Sequence, residues 1–329
     1  MRSIQTSATF PLSSVKPLEG LSSYRTYCLA ATRAALEGAS RRRECSPVSG
    51  ERLEPFGTVE GLSYARCAQS GSLFLAELPP PPVWATLLAD ISRYRHSPKA
   101  FHSGLAQSRV DNVYSPRLEW IRETLRFQQV DRARVLEVTT PPSDLTSLLL
   151  EQHALFDVLM VDEMQLSHSE HDGGSGAGGA HQELVDVAVL FESLDRVDDP
   201  VALLRSVADR LAPGGLLFVT ALVSSGFDLA VLGLHNLYLY PPDRANCFSL
   251  QGLSQVVEAA GFSLLEASTP GVLDIEIVRA HLERDPSIPL SAFERQLLKA
   301  GHETHEAFQA LSQTQGLSSF ARLVARRDG

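Results

Sequence analysis

The chain has 329 residues, 44% hydrophobic and 21% charged, which excludes a disordered protein and at roughly 150 residues per domain suits about two domains. Its formal net charge of −10 argues against a nucleic-acid partner, because phosphate binding needs a basic face, and the basic cluster Arg41-Arg42-Arg43 reads as a solvated loop. No apolar run approaches the ~20 residues of a membrane helix, the polar N-terminus lacks the apolar core of a secretory signal, and four cysteines make no disulfide framework; a reduced, cytoplasmic protein is expected. Residues 1–43 read as a polar tail and a short helix from Tyr24 to Glu37. Residues 44–78 hold short apolar pieces between Gly, Pro and Ser, with strands at Tyr64 to Cys67 and Ser72 to Leu75. Pro79-Pro80-Pro81-Pro82 donates no backbone hydrogen bond and reads as a stiff linker. Over 79–133, Trp84, Leu87, Leu88, Ile91 and then Leu118, Ile121, Leu125 recur at helical spacing.

From Arg134 the period changes. Val135 to Val138 is a short strand, Ser143 caps a helix through Glu151, and Asp157 to Asp162 and Val185 to Leu194 are two further strands. Asp199 caps a helix with Pro200 in its first turn, Pro213-Gly214-Gly215 breaks it, and Leu216 to Leu222 is a fourth strand. Ser249 caps a helix that Gly261 ends, Ser263 to Ala267 and Phe320 to Arg326 are the last strands, and helices lie near 273–282, 291–300 and 303–312. Strands alternating with helices predict an α/β domain over 134–329 with a doubly wound, mostly parallel sheet. The run GGSGAGG at 173–179 reads as a flexible linker.

Phe191-Glu192-Ser193-Leu194-Asp195-Arg196-Val197-Asp198-Asp199-Pro200, with Leu211-Ala212-Pro213-Gly214-Gly215 and Ala260-Gly261-Phe262, resembles the fourth strand, the Pro-Gly-Gly turn with its fifth strand, and a later Ala-Gly-Phe block of class I S-adenosylmethionine-dependent methyltransferases. The resemblance is specific over 185–329 and weaker over 109–163. It implies a Rossmann-like fold and methyl transfer from S-adenosylmethionine to a small-molecule acceptor. A subfamily carries an N-terminal zinc ribbon. Here Ser46-Pro47-Val48-Ser49-Gly50 and Cys67-Ala68-Gln69-Ser70-Gly71 stand in its places, with Cys45 one residue off register. Serine is a poor zinc ligand, so a ribbon-like module at 44–78 without zinc is expected.

The resemblance places the cofactor at the carboxyl ends of the first strands. Glu137 would lie near the methionine end, Asp162 on the ribose, and Glu192 in the cleft. The turn after the first strand departs from the family pattern: Thr139-Thr140-Pro141-Pro142-Ser143 has no glycine, and proline supplies no N–H and fixes φ. About twenty residues separate the second strand from the fourth, so the family's third strand is expected to be missing. The loop 235–246 follows the fifth strand, where acceptors bind, and offers His235, Tyr240 and Asp243 as catalytic candidates. Asp195-Arg196 reads as a solvated pair at a strand end, and His302 and His305 as a solvent-facing stripe. Two readings stay open: a methyltransferase acting on a small molecule, or an inactive pseudo-methyltransferase serving as a scaffold or partner subunit. The oligomeric state stays open too.

Overall fold

The computed structural model describes residues 10–97, 105–140, 143–167 and 183–329. Pro141, Pro142, the Gly-rich run and His168, His171 and His181 lie outside them. The N-terminal part contains α1 (Leu18–Leu36), β1 (Arg41–Arg42), β2 (Glu54–Val59), β3 (Leu62–Arg66), β4 (Leu73–Leu75), β5 (Glu77–Leu78) and α2 (Pro81–Arg95). Then come α3 (Ala106–Arg109), a π-helical turn Val110–Tyr114, α4 (Ser115–Phe127), β6 (Ala133–Val138), α5 (Asp144–Glu151), β7 (Phe156–Val161), α6 (Glu163–Ser167) and β8 (Val185–Phe191). The remainder is α7 (Pro200–Arg210), β9 (Leu211–Leu222), α8 (Phe227–Leu232), β10 (Asn246–Cys247), α9 (Leu250–Ala259), β11 (Phe262–Ser268), α10 (Asp274–Arg284), α11 (Ala292–Leu298), α12 (His302–Thr314) and β12 (Phe320–Arg327).

The main sheet has six strands in the order β11-β12-β9-β8-β6-β7. β7, β6, β8 and β9 run parallel, and β12 is antiparallel to both neighbours. Its central strands are apolar on both faces, as a sheet covered on both sides requires: Val187, Ala188, Val189 and Leu190 of β8 and Leu217, Phe218 and Val219 of β9 are all buried. Among the described residues β7 is the edge on its side of the sheet. It carries half-exposed Leu159 and Met160, 40% and 39% accessible, instead of a further strand. The predicted caps form: Ser143 accepts from the Leu145 and Thr146 N–H groups, Asp199 from Ala202 and Ser249 from Gly252.

Three local expectations are corrected. Of the Arg41-Arg42-Arg43 cluster read as solvated, Arg43 is 7% accessible and bonded to Asn246 and the Asp198 carbonyl. Pro213-Gly214-Gly215 does not end a segment before β9. It lies within β9 as an irregularity against β8, with Gly214 at φ 77° and Gly215 so close to the Ala212 carbonyl that a Cβ would sit 2.9 Å away. Pro81 and Pro82 open α2 at its first turn, where a missing N–H costs nothing, so half of the proline run is helix and not spacer.

The small sheet β10-β4-β3-β2 is stitched to the main sheet by residues far apart in sequence. β10 belongs to the loop after β9 and pairs antiparallel with β4. Buried Asn246 donates to the Leu194 and Val197 carbonyls at 2.8 and 2.7 Å and accepts from Arg43 at 2.7 Å. Tyr64 of β3 donates to the Arg244 carbonyl at 2.7 Å, and Trp84 of α2 to that of Arg196 at 2.8 Å. Apolar side chains of both parts share one core, in which Phe74 meets Phe248 edge-on. The N-terminal third therefore fixes the loops that carry Arg196 and Arg244.

Candidate active site

β6 is followed outward by β7, and the chain then returns to β8 on the other side of β6. Such a reversal leaves a crevice beyond the strand ends, where sheets of this kind bind ligands. A cavity of about 800 Å³ lies there, lined by Glu137 and Thr140 from β6 and its turn, Glu192 after β8, and Tyr240 and Asp243 from the loop after β9. That volume suits a small molecule. The segment 10–16, α1, α2, α4 and the start of α10 supply much of the remaining wall. No helix among the described residues is long and apolar enough to cross a membrane.

Four of the six sequence candidates meet at this cavity: Glu137, Glu192, Tyr240 and Asp243. Glu137, 3% accessible, accepts from the Ser143 hydroxyl at 2.5 Å and from the Thr146 hydroxyl. Burial raises its pKa, against those two donors. Ser143 thus caps α5 and hydrogen-bonds a buried acid at once. Ser143→Ala is expected to lose about 1–2 kcal/mol, read as a lower urea midpoint at unchanged slope.

Glu192 stands at φ 61°, a left-handed conformation uncommon for a residue with a Cβ. Its carboxylate accepts from Arg117 and Arg244, each at 2.8 Å. Burial pushes its pKa up, but these two guanidinia hold it well below the usual carboxylate range. Asp243 is similar. Burial opposes ionisation, yet Arg95 at 2.5 Å and the nearby Arg196 and Arg244 keep its pKa low. The Tyr240 hydroxyl donates to Asp243 at 3.1 Å, and burial beside that carboxylate pushes the phenol far up. Weakly basic carboxylates and a phenol that keeps its proton make poor general bases at neutral pH.

His235 is exposed and does not line the cavity, and Asp162 does not line it either. The Asp162 side chain accepts from the Gln165 N–H at 3.4 Å in the first turn of α6. Its neighbour Glu163 is fully buried; it accepts from the Thr140 hydroxyl at 2.7 Å and pairs with Arg196 at 3.3 Å. The Asp195-Arg196 expectation is therefore overturned. Both residues are buried, at 0% and 7% accessibility, because the chain after β8 turns inward beneath the Arg244 loop. Asp195 lies 3.3 Å from Arg244, and burial pushes its pKa up to about 7 against that guanidinium. His96, at the end of α2, lines the cavity and was not singled out by sequence reasoning. Its Nδ1 is 2.9 Å from the Ser92 carbonyl, which can only accept, so Nδ1 carries hydrogen. A histidine at a helix end has no distinguishing spacing. His302 pairs with Glu306 on the exposed face of α12, as expected of a solvent-facing position, but His305 is half-buried, its Nε2 2.9 Å from the Leu297 carbonyl of α11.

The serine-rich turns of the small sheet come together, with the Ser49 hydroxyl 3.9 Å from the Cys67 sulfur and that thiol 3.5 Å from Glu51. Among the described residues no group of three or more His, Cys, Asp or Glu side chains could hold a metal ion.

Residues 83–267 match the family model described as a methyltransferase domain. No curated protein matches the chain significantly. Among solved structures, Burkholderia thailandensis 1,6-didemethyltoxoflavin-N1-methyltransferase, with bound 1,6-didemethyltoxoflavin and S-adenosylhomocysteine, is similar at 12% identity and a TM-score of 0.42, over 84% of this chain and 100% of that one. An S-adenosylmethionine-dependent methyltransferase from Mesorhizobium loti is similar at 15% identity and a TM-score of 0.35, over 60% of this chain and 92% of that one. These two likenesses are too distant to carry an argument about function, whereas the family model spans more than half of the 329 residues. The chain belongs to the methyltransferase-domain family.

Proposed function

We propose that this methyltransferase-like protein binds a small molecule in its 800 Å³ cavity and has lost the seat that the family gives the nucleoside half of S-adenosylmethionine. Family membership implies that cofactor, so its fit is the question. The observation that carries the reading is the bridge Thr140–Glu163–Arg196. It joins the turn after β6, the start of α6 and the chain after β8. A ribose lying between the first two strand tips, with Asp162 as its partner, would have to part these side chains and leave the fully buried Glu163 unpaired. Breaking one side of a buried ion pair is costly. Asp162 accepts from the Gln165 N–H of its own helix and is not among the residues that line the 800 Å³ cavity. The glycine-free turn is in keeping with the same reading. On it the residues present do not fit the cofactor in the family's pose, and the protein is a pseudo-methyltransferase. The small sheet at 44–78 is then a ribbon-like brace without zinc that holds the Arg244 loop.

The test is thermal unfolding with 1 mM S-adenosylmethionine. A ligand with a dissociation constant of about 10 μM would add ~2.7 kcal/mol at that concentration. An unchanged melting temperature is expected.

A second reading, methyl transfer to a small acceptor, is favoured by His96. Its Nε2, the ring nitrogen not turned to Ser92, is the one that could remove a proton from the acceptor. A rise in melting temperature with S-adenosylmethionine, and turnover lost in His96→Gln, would support that reading over the first.

A further inference from the structure

We infer that the cavity selects an aromatic carboxylic acid, its carboxylate held by Arg322 beside Arg117 and its ring lying among the aromatic side chains that surround them. The inference rests on the reading of the cavity as a small-molecule site and does not depend on the closed nucleoside seat.

Arg322 projects from β12 into the cavity wall and is 8% accessible. Among the described residues no carboxylate lies within 4.0 Å of it, and its Nε is buried without a hydrogen-bond partner. Its charge rests against the Trp120 ring, 4.9 Å from the centroid. Burial lowers its pKa to about 10, Arg117 adds to that, and Glu266 and Glu123 act only from a distance. A guanidinium is a fork of donors built for a planar oxyanion. Burying one without an anion is unfavourable for the empty protein, and a carboxylate ligand would supply what is missing.

The surroundings give the body of the ligand. Trp120 stacks near Phe191, and Arg117 lies over the Phe191 and Phe320 rings at 5.1 and 5.0 Å. Arg117 is already paired with Glu192, but that one carboxylate is shared between Arg117 and Arg244. Two more cations on the same wall, Lys16 over the Tyr238 ring and Arg109 beside Tyr114, also have no carboxylate within 4.0 Å among the described residues. Of the other carboxylates on this wall, Glu137 is engaged with two hydroxyls, Asp243 with Arg95, Asp274 with Ser318 and Gln309, and Glu119 with Arg122 and Arg126, while Glu123 and Asp144 are exposed to solvent. Around Arg322 the wall is thus aromatic, and three of its cations have no carboxylate within 4.0 Å among the described residues.

The probes are 2-naphthoate and 2-naphthamide, which share a ring system and differ in charge, titrated calorimetrically into the full-length protein. The acid should bind at least tenfold tighter than the amide, the span of one charge-assisted hydrogen bond. Arg322→Met should erase that preference by weakening the acid far more than the amide, and Arg322→Lys should retain part of it. The unliganded Arg322→Met protein should be at least as stable as the parent. Equal affinity for acid and amide in the parent protein, which needs no variant, would overturn the inference and leave the small-molecule site standing. Failure of both probes to bind at millimolar concentration would overturn the inference together with that reading of the cavity.

Discussion

Arg244→Met is expected to lower folding stability by about 3–5 kcal/mol, the cost of removing one partner from a buried ionic network. Arg244 neutralises Glu192 at 2.8 Å and approaches Asp195 at 3.3 Å, and it also donates to the Asp243 carbonyl at 2.7 Å. The methionine would leave Asp195, at 0% accessibility, without its one ion-pair partner, only the weaker influence of Arg196 remaining, and Glu192 with Arg117 alone. A urea titration followed by circular dichroism measures the loss. Adding Asp195→Asn to the variant should recover part of it, because the orphaned acid is then gone. A loss below about 1 kcal/mol, typical of an exposed ion pair, would mean that the network does not hold the cavity loops together.

Stability should fall as the pH rises from 5 to 8. Asp195 and Asp228 are both fully buried, and burial pushes each pKa up from 3.8 to about 7. Between those values the folded chain holds protons that the unfolded chain has released. Stability then decreases with rising pH, and the decrease ends once both states are ionised above pH 7. A shift of this size corresponds to about 4 kcal/mol for each group. Glu192 and Asp243, whose pKa values are held low in the fold, work at the other end. Their contribution is present above the unfolded carboxylate range and is lost as the pH drops below it. His281, whose pKa burial lowers, favours unfolding below its ordinary value of 6.5, so the readout is the difference between parent and variant. Asp195→Asn should flatten the slope between pH 5 and 7, in urea midpoints taken at each unit. An identical slope in parent and variant would show that Asp195 ionises normally.

The sequence resolves what depends on neighbours along the chain. Ser143, Asp199 and Ser249 announce three helix starts by their side-chain oxygens, and the apolar runs of β8 and β9 announce strands covered on both faces. Glu137, Glu192, Tyr240 and Asp243 are chemically legible because each stands at a strand end or in a loop beyond one. What stays hidden depends on long-range contact. Arg43 and Asn246 are 203 residues apart, and Tyr64 and Arg244 are 180 apart. Those bonds turn the small sheet into a brace for the cavity loops. Asp195 and Arg196 look like a solvated pair because charge at a strand end usually is one; here the partners that bury them, Arg244 and Glu163, come from other segments. Asp162 and Glu163 are adjacent acids, and only the structure separates their roles, one turned to its own helix and the other buried against Thr140 and Arg196. His96 and Arg322 have no signature at all, since a histidine closing a helix and an arginine within a strand are ordinary in one dimension.

The most direct measurement is the electron density of crystals soaked in 5 mM S-adenosylhomocysteine. Thr140 and Arg196 are expected to remain bonded to Glu163, with no nucleoside between the tips of β6 and β7. A ribose seated on Asp162, with Glu163 displaced from Thr140, would contradict that expectation.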